Sequence, residues 1–192
     1  MSHFFAYLGR MKLIRRWGLM RNTLPENIQE HSLQAGMIAH GLAVIRNVYF
    51  GGSLNPDRAM TMAAFHEISE IFTGDLPTPV KYFNSEIKTV YGEIESMAKQ
   101  KMAAMLPAEM AECYVPVLFG ERYDVEIWQL VKAADKICAY LKCMEELKAG
   151  NQEFAAAAKS LLSELEQSNL QEVQKFMEIF VPSFGLSLDE MK

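Results

Sequence analysis

Apolar residues recur at helical spacing along most of this chain, and capping residues separate the successive apolar runs. The clearest helix starts are Asn27, followed three residues later by Glu30 as in a capping box, and Asn55-Pro56, where a capping side chain precedes a proline. No segment of useful length alternates polar and β-branched residues as a half-buried strand does. The pattern therefore predicts an all-α protein.

Caps, glycines and prolines predict where these helices begin and end. The first is expected from Ser2 to about Trp17, before a loop with the sequence GLMRNTLPEN. The segment GDLPTPVKYFN at 74–84 is predicted to be irregular because it contains two prolines. The second predicted helix begins at 27, and the third runs from 55 to about 73. The fourth runs from 85 to about 106, a shorter fifth begins at 107, and the sixth runs from 124 to 150. The last helical region runs from 152 to about 180, with a break at Ser168-Asn169. Without a repeat or linker, we expect one domain over 1–192, a single helical bundle.

Composition narrows the class of protein further. The chain has 192 residues, of which 50% are hydrophobic and 22% charged, so it can bury a substantial core. Its net charge of −5 argues against binding polymeric nucleic acid through a basic surface, although a local site for one phosphate is compatible with it. No apolar run reaches the roughly 18–20 residues that span a bilayer, and the N-terminus lacks the order of a signal peptide. We therefore expect a soluble cytoplasmic protein without a membrane partner, whose three cysteines are free, buried thiols.

The pair His66-Glu67 stands within an apolar helical stretch, AMTMAAFHEISEIF, where ionisable side chains are costly to bury without a partner. His31 and Asp135 occur in similar helical contexts. Two imidazoles and two carboxylates suit a divalent cation such as Zn, Mn, Fe, Co or Ni, and four protein ligands on a larger ion leave positions for water and a substrate oxygen. The sequence thus indicates a candidate metal site drawn from three helices.

The candidate metal ligands have a structural interpretation as well, and so do four further candidate site residues, Glu70, Arg16, Trp17 and Asp75. Asp135 could pair with Lys132 one helical turn away, and Glu70 could simply solvate the third helix. Arg16 could lie on a solvated basic surface and Trp17 in the core, while Asp75, just after Gly74, could form a turn. His3 and His40 lack a suitable motif and are interpreted as structural. Only the combination of residues favours a functional site.

Those residues also carry a family resemblance. The order H…HE…D resembles the H…HD…D pattern of the HD-domain metal-dependent phosphohydrolases, and the match extends over almost the whole chain. Five segments resemble the YfbR-like bacterial 5′-deoxynucleotidases: SHFFAYLGRMKLIRRWGLMRN, ENIQEHSLQ, EIFTGDLPTPVKYFN, ADKICAYLKCMEEL and FMEIFVPSFGLSLDE. The resemblance implies an all-α HD fold, one divalent metal ion (Co, Mn, Zn, Ni or Fe), a homodimer, and hydrolysis of deoxyribonucleoside 5′-monophosphates to deoxynucleoside and phosphate.

The resemblance also implies a role for individual residues. Arg16 would orient the phosphate and Trp17 would contact the substrate, while Glu70 would act in catalysis. The implied metal ligands are His31, His66, Glu67 and Asp135, and the loop implied to contact the deoxyribose contains Asp75, Leu76, Pro77 and Thr78.

Glu67 is the departure from the family pattern, which has aspartate at this position. Glutamate keeps the charge and both oxygens but adds a methylene, which a rotamer change, a shifted metal or bidentate binding would have to absorb. Three outcomes are open: an active enzyme with altered metal preference, a catalytically weakened enzyme, or a nucleotide-binding protein that no longer turns over. An HD phosphohydrolase acting on another nucleotide, such as a cyclic dinucleotide or ppGpp, is a further alternative; a two-metal version would need ligands that the four histidines do not supply.

Overall fold

The computed structural model describes residues 1–81 and 83–192, among which every regular element is helical and no β-strand forms. The prediction of an all-α protein is confirmed. The α-helices are α1 Phe4–Leu8, α2 Ile28–Phe50, α3 Pro56–Ala64, α4 Glu70–Thr73, α5 Thr78–Lys81, α6 Ser85–Ala103, α7 Ala108–Leu118, α8 Gly120–Tyr123, α9 Val125–Lys148, α10 Ala155–Glu166 and α11 Gln171–Ile179. Short 3₁₀ turns occupy Met11–Leu13, Gln152–Phe154, Val181–Gly185 and Leu188–Glu190.

Helices α2, α3 and α9 pack against one another and form the centre of the fold. α2 begins as predicted, with the Asn27 side chain accepting hydrogen bonds from the backbone N–H groups of Gln29 and Glu30, and α9 begins after Asp124. Their apolar faces share one core, whose fully buried members include Ala39, Leu42, Met62, Leu130, Ala134 and Ile137. This packing fixes the relative positions of the three chain segments that carry His31, His66 and Asp135.

The first predicted helix is wrong beyond Leu8. α1 ends there, and Ile14 takes an extended backbone with φ −96° and ψ 117°. The chain then pairs with residues 26–28 like a short antiparallel ribbon: Arg16 N donates to Glu26 O at 3.0 Å, and Ile28 N donates to Ile14 O at 3.0 Å. These bonds to a distant segment replace the helical ones, and they turn Arg16 inward.

The third predicted helix is interrupted where an unbroken one was expected. α3 ends at Ala64, and residues 65–69 form successive tight turns before α4. His66 Nδ1 donates to Ala63 O at 2.6 Å, and the backbone N–H of His66 contacts the same oxygen at 3.3 Å. Because this carbonyl is already bonded three residues on, the regular i to i+4 pattern stops there. The tighter turn sets His66 and Glu67 beside each other.

The segment at 74–84 also differs from its prediction, since Thr78–Lys81 forms the short helix α5. Pro79 stands in the first turn of α5, where the missing N–H has no helical partner to lose. Gly74 ends α4 with φ +69°, a conformation that favours glycine. Tyr82 of this segment lies outside the described residues.

The loop between Trp17 and Pro25 is anchored to the end of α9 by a buried carboxylate. Glu146 is 0% exposed and accepts hydrogen bonds from Thr23 N at 2.9 Å, Thr23 Oγ1 at 2.7 Å and Leu24 N at 3.2 Å. Lys142 pairs with the same carboxylate and also donates to Leu24 O. The loop that separates Arg16 from α2 is therefore held at several points.

The structure bears on two expectations from composition, the state of the cysteines and the lack of a membrane-spanning segment. The three cysteines are free, as predicted, but Cys113 is exposed, so only Cys138 and Cys143 are the buried thiols expected. Among the described residues, no helix is both long enough and apolar enough to cross a membrane.

Candidate metal centre and active site

Four side chains predicted to bind a metal ion converge at one point between α2, α9 and the turn after α3. His31, His66, Glu67 and Asp135 each offer one donor atom, and these atoms all lie within 4.8 Å of one another. His66 Nε2 lies 3.0 Å from Glu67 Oε1, and His31 Nε2 lies 3.1 Å from Asp135 Oδ1. Donor atoms at about 2.0–2.2 Å from a shared ion lie roughly 3 Å apart. The longer side chain of Glu67 still places an oxygen within this set.

The hydrogen-bonding state of the two imidazoles fits a metal ion. His66 Nδ1 donates to Ala63 O, which leaves Nε2 facing the carboxylates. Both Nε2 atoms are buried, and neither makes an aligned hydrogen bond with the described residues. Buried polar atoms without partners are rare and costly, and a metal-bound histidine characteristically donates its other ring N–H to a carbonyl. His66 does so, whereas His31 Nδ1 has no partner among the described residues. The residues present therefore fit a divalent cation.

The carboxylates provide the negative charge and the access that such an ion needs. The side chain of Asp135 is 27% exposed and that of Glu67 16%, whereas both imidazoles are fully buried. Burial opposes ionisation of both carboxyls, but His66 outweighs it at Glu67, as His31 and His66 do at Asp135, and the pKa of each carboxyl is held well below its usual range. The ion would thus have buried nitrogen ligands on one side and ionised oxygens toward the opening.

The two histidines differ in charge in the metal-free protein. Burial and the Arg16 charge lower the pKa of His31 to about 4, so its ring is neutral at pH 7. Burial also opposes the charge on His66, but Glu67 and Asp135 outweigh it and raise the pKa of His66 to about 9. His66 must therefore lose a proton before Nε2 can bind a metal.

Metal affinity is accordingly expected to rise with pH. Because His66 is protonated below about pH 9, each ion must displace at least one proton, and affinity should increase by at least about tenfold per unit from pH 6 to 8. Cobalt titrations followed by visible absorbance would measure this, and Glu70→Gln would isolate the His66 proton from any proton that Glu70 releases. A pH-independent affinity over this range would show that His66 is neutral before the metal binds.

Arg16 lies beside these four residues, and its surface interpretation is wrong. Its side chain is only 12% exposed, with Nη1 3.8 Å from Asp135 Oδ1. Burial opposes the charge, but Asp135, Glu26 and Glu67 outweigh it and raise the pKa of the guanidinium. A permanently charged, planar donor group beside a metal site is well suited to holding phosphate oxygens.

Glu70 is buried at the start of α4, so it does not solvate a helix surface. Burial, followed by the charges of Glu67 and Asp75, raises the pKa of Glu70 to about 10. The carboxyl is therefore protonated at pH 7 in the metal-free protein. A dication on the neighbouring ligands would favour the ionised form, which would let Glu70 gain and lose a proton in the working range.

Asp75 and Trp17 hold each other at the edge of the site. Trp17 N donates to Asp75 Oδ2 at 3.0 Å, so Asp75 does more than form a turn. Trp17 has φ +58°, a strained conformation for a bulky residue, and its ring packs against Phe154 with centroids 5.3 Å apart. Its buried Nε1 has no hydrogen-bond partner among the described residues. Such strain and such an unpaired donor occur often at binding sites.

A family model described as 5′-deoxynucleotidase YfbR-like matches residues 3–184. The chain belongs to this family. It is 55% identical over 190 residues to the 5′-deoxynucleotidase YfbR of Escherichia coli, covering 99% of this chain and 96% of the relative. It is 54% identical to a 5′-deoxynucleotidase of Vibrio parahaemolyticus, covering 99% and 98%. The resemblance inferred from the quoted segments is thus confirmed.

Solved structures of HD-domain phosphohydrolases share the fold of this YfbR-like protein. An HD-domain phosphohydrolase from Listeria innocua superposes with a TM-score of 0.81 at 24% identity, covering 95% of this chain and 88% of that one. The HD phosphohydrolase DatZ of cyanophage S-2L, bound to dA and one catalytic Zn²⁺, superposes with a TM-score of 0.65 at 25% identity, covering 96% and 97%. The predicted HD fold is confirmed.

The remaining residues implied by the YfbR-like resemblance follow Asp75 in the chain. Leu76 and Pro77 are half-buried, and Thr78 is exposed at the first position of α5. Pro77 O accepts hydrogen bonds from Val80 N at 2.8 Å and Lys81 N at 3.1 Å, which fixes the start of α5. The structure thus places these residues next to Asp75, and their contact with a sugar stays a prediction.

Glu26 is a site residue that sequence reasoning missed. Its Oε2 lies 3.1 Å from Arg16 Nε, and both side chains are largely buried. In the sequence Glu26 stands in a predicted loop just before the helix cap Asn27, where a glutamate is unremarkable. Only the pairing of residues 14–16 with 26–28 reveals the contact.

Proposed function

We propose that this YfbR-like protein hydrolyses deoxyribonucleoside 5′-monophosphates to deoxynucleoside and inorganic phosphate. One observation carries the proposal: the Nε2 atoms of two buried histidines and two ionised carboxylates converge beside a buried arginine. The chain is also 55% identical to 5′-deoxynucleotidases over nearly its whole length. The deoxynucleotidase activity expected from the sequence agrees with both findings.

His31, His66, Glu67 and Asp135 would hold one divalent metal ion of the Co, Mn, Zn, Ni or Fe type. Such an ion, when bound, polarises a phosphoryl oxygen and acidifies a coordinated water. The mixed nitrogen and oxygen donors suit all five metals, so the donor set does not choose among them. The protein supplies the fixed positions, since the ligands come from elements packed around the common core.

Arg16 would orient the phosphate of the substrate. Its guanidinium stands on the Asp135 side of the metal ligands and cannot lose its charge in the working range. Two of its N–H groups can hold two phosphate oxygens at once and so keep the phosphorus in line with the attacking water. Charge that develops on the phosphoryl oxygens is stabilised by the same group.

Glu70 would transfer the proton that hydrolysis requires. Breaking the ester bond between phosphorus and the 5′ oxygen leaves an alkoxide that must be protonated, and attack by water releases a proton. The buried carboxyl of Glu70 lies beside the metal-ligand candidate Glu67 and within the electrostatic influence of Asp75. It can accept the proton of the water or donate one to the leaving oxygen.

Selectivity for deoxyribose would come from Trp17, Asp75, Leu76, Pro77 and Thr78. The hydrogen bond from Trp17 N occupies Asp75 Oδ2, and the other oxygen, which makes no hydrogen bond with residues 1–81 and 83–192, would accept from a sugar hydroxyl. The anchored loop before Pro25 and the start of α5 restrict how far this edge of the site can open. A 2′-hydroxyl that finds no room or no partner there is disfavoured.

We expect phosphate release from dAMP to exceed that from AMP by about 5- to 150-fold in kcat/KM, because a buried hydroxyl without a partner costs about 1–3 kcal/mol. Phosphate assays over all deoxynucleoside and ribonucleoside monophosphates, with each candidate metal, would measure the ratio. Equal efficiency with dAMP and AMP would refute deoxy selectivity. No release from any monophosphate would refute the proposed function itself.

A protein that binds nucleotide without turning it over is the second candidate, and Glu67 is the observation that favours it. Its oxygen reaches the donor set only through one methylene more than the aspartate of the family pattern. Metal that binds without phosphate release would support this candidate. If phosphate is released only from another class of nucleotide, the protein is a phosphohydrolase that acts on that nucleotide instead.

Homodimer formation and a cytoplasmic location remain part of the proposal. Apolar side chains of α2 and of the C-terminal segment are exposed side by side, including Val48, Tyr49, Phe180 and Phe184. Contiguous apolar surface of this kind commonly marks a contact between protein chains. Light scattering on the purified protein would give its mass, and a monomer at micromolar concentration would count against the dimer.

A further inference from the structure

Glu26 contacts Arg16 twice, through its backbone and through its side chain. Arg16 N donates to Glu26 O at 3.0 Å, within the pairing of residues 14–16 with 26–28. The Glu26 carboxylate then reaches the Nε edge of the same guanidinium at 3.1 Å. Because the backbone pairing fixes both Cα positions, the side chains have little freedom to separate.

The side-chain contact is an ion pair shielded from water. The Arg16 side chain is 12% exposed and that of Glu26 15%, and neither Arg16 Nε nor Glu26 Oε2 makes an aligned hydrogen bond with the described residues. Arg16 is therefore the main compensation for the Glu26 charge, and Glu26 compensates the Arg16 charge together with Asp135. Removing one member of such a pair leaves the other charge buried and free to seek a new partner.

If the Glu26 charge were removed, Asp135 would be the new partner for Arg16. Its Oδ1 lies 3.8 Å from Arg16 Nη1, and Asp135 is the strongest source of attraction acting on the guanidinium. A closer approach would pair Arg16 directly with a candidate metal ligand. This pairing would occupy the Nη groups that are needed to bind the substrate phosphate. It would also neutralise part of the Asp135 charge that would otherwise attract the metal ion.

We propose that Glu26 is a positioning residue, whose carboxylate holds the Nε edge of Arg16 so that the guanidinium stays off Asp135 and keeps its Nη groups for the substrate phosphate. This inference rests on the proposed function, because it assigns Glu26 a task in the same reaction. Glu26 itself touches neither the metal nor the reacting atoms and acts only through Arg16.

Kinetics of four proteins would test this: wild type, Glu26→Gln, Arg16→Ala and the double variant. We expect Glu26→Gln to raise KM for dAMP about tenfold with a smaller fall in kcat, in line with the loss of one charge-assisted contact. In the Arg16→Ala background, Glu26→Gln should leave KM unchanged, because the group it positions is gone. Glu145→Gln is the matched control and should behave as wild type: Glu145 is an exposed glutamate of α9, and it lines a surface groove together with Glu26, Leu33 and Met37.

Metal affinity supplies a second measurement that a general loss of stability would not imitate. We expect cobalt to bind Glu26→Gln about tenfold more weakly than wild type, because Arg16 closes on Asp135. The double variant should bind cobalt at least as tightly as wild type, since no cation remains to compete. If Glu26→Gln fails to fold, Glu26→Asp, which keeps the charge at greater distance, should show the same two effects at smaller size.

The outcomes separate this inference from the proposed function. If wild type hydrolyses dAMP and Arg16→Ala raises KM, but Glu26→Gln matches Glu145→Gln in KM and cobalt affinity, the positioning role is overturned. Equal effects of Glu26→Gln in the presence and absence of Arg16 would overturn it as well. Failure of wild type to hydrolyse any monophosphate would instead overturn the proposed function.

Discussion

Asparagine in place of Asp135 is expected to abolish metal binding at micromolar concentrations and to lower phosphate release by at least about 10³-fold. Mutating a residue that only hydrogen-bonds to a metal ligand already weakens metal affinity by about 10–100-fold, and the loss of a ligand itself should cost more. Asp135 Oδ1 lies 3.1 Å from His31 Nε2, 3.9 Å from His66 Nε2 and 3.8 Å from Arg16 Nη1. It is thus the donor that both imidazoles and the guanidinium share. The substitution keeps the shape of the side chain and removes its charge.

Metal content by mass spectrometry and phosphate release from dAMP would be measured on the same preparation. Asp189→Asn, the same chemical change at an exposed position near the C-terminus, serves as the control and should equal wild type. Circular dichroism would establish that both variants fold. Asp135→Asn with a full complement of metal and an unchanged rate would remove Asp135 from the site.

Glutamine in place of Glu70 is expected to lower kcat by about 10²–10⁴-fold while the metal stays bound, which is the usual contribution of a positioned acid or base. Glu70 is 7% exposed, and burial together with Glu67 and Asp75 raises the pKa of its carboxyl to about 10. Glutamine preserves the neutral shape of the protonated acid but cannot transfer a proton. The variant should therefore fold, take up metal and bind substrate.

Stopped phosphate assays with cobalt content measured in parallel would separate catalysis from metal binding. Glu93→Gln is the matched control, because Glu93 is an exposed glutamate of α6 outside the site. A near-normal kcat for Glu70→Gln with metal bound would exclude Glu70 from the mechanism. Loss of metal together with activity would make Glu70 a support of the ligands instead.

Local signals in the sequence were sufficient for much of the fold. Asn27, Asn55 and Asp124 begin their helices as expected, because a capping side chain bonds to the next few residues and needs no distant partner. The long runs of helically spaced apolar residues after Asn27 and Asp124 are helical throughout, because this spacing is also a local signal. The predicted break in the last helical region, near Ser168-Asn169, separates α10 from α11.

The differences arise where distant residues compete with local preference. Arg16 leaves the predicted first helix because its backbone bonds to Glu26. The third helix breaks because the His66 side chain bonds to Ala63 O and the turn is held against the core. Neither interaction has a periodic signature in the sequence, so neither could be read from it.

Some residues of the candidate site could likewise be identified from the sequence, and others could not. The residue types and the family resemblance were enough to name His31, His66, Glu67 and Asp135, which the structure brings together. Glu26 could not be named, because its contact depends on how two chain segments pair rather than on a motif. The sequence thus predicted the donor atoms, and the structure adds the charges that surround them.

Metal content and phosphate release of the unaltered protein, measured beside Glu67→Asp, test the central claim most directly. Glu67 Oε1 already lies 3.0 Å from His66 Nε2 and within the set of converging donors, so the extra methylene is accommodated. We therefore predict that the wild-type chain holds about one divalent ion and releases phosphate from dAMP without any substitution. A wild type that neither binds metal nor releases phosphate, beside a Glu67→Asp variant that does both, would contradict this account.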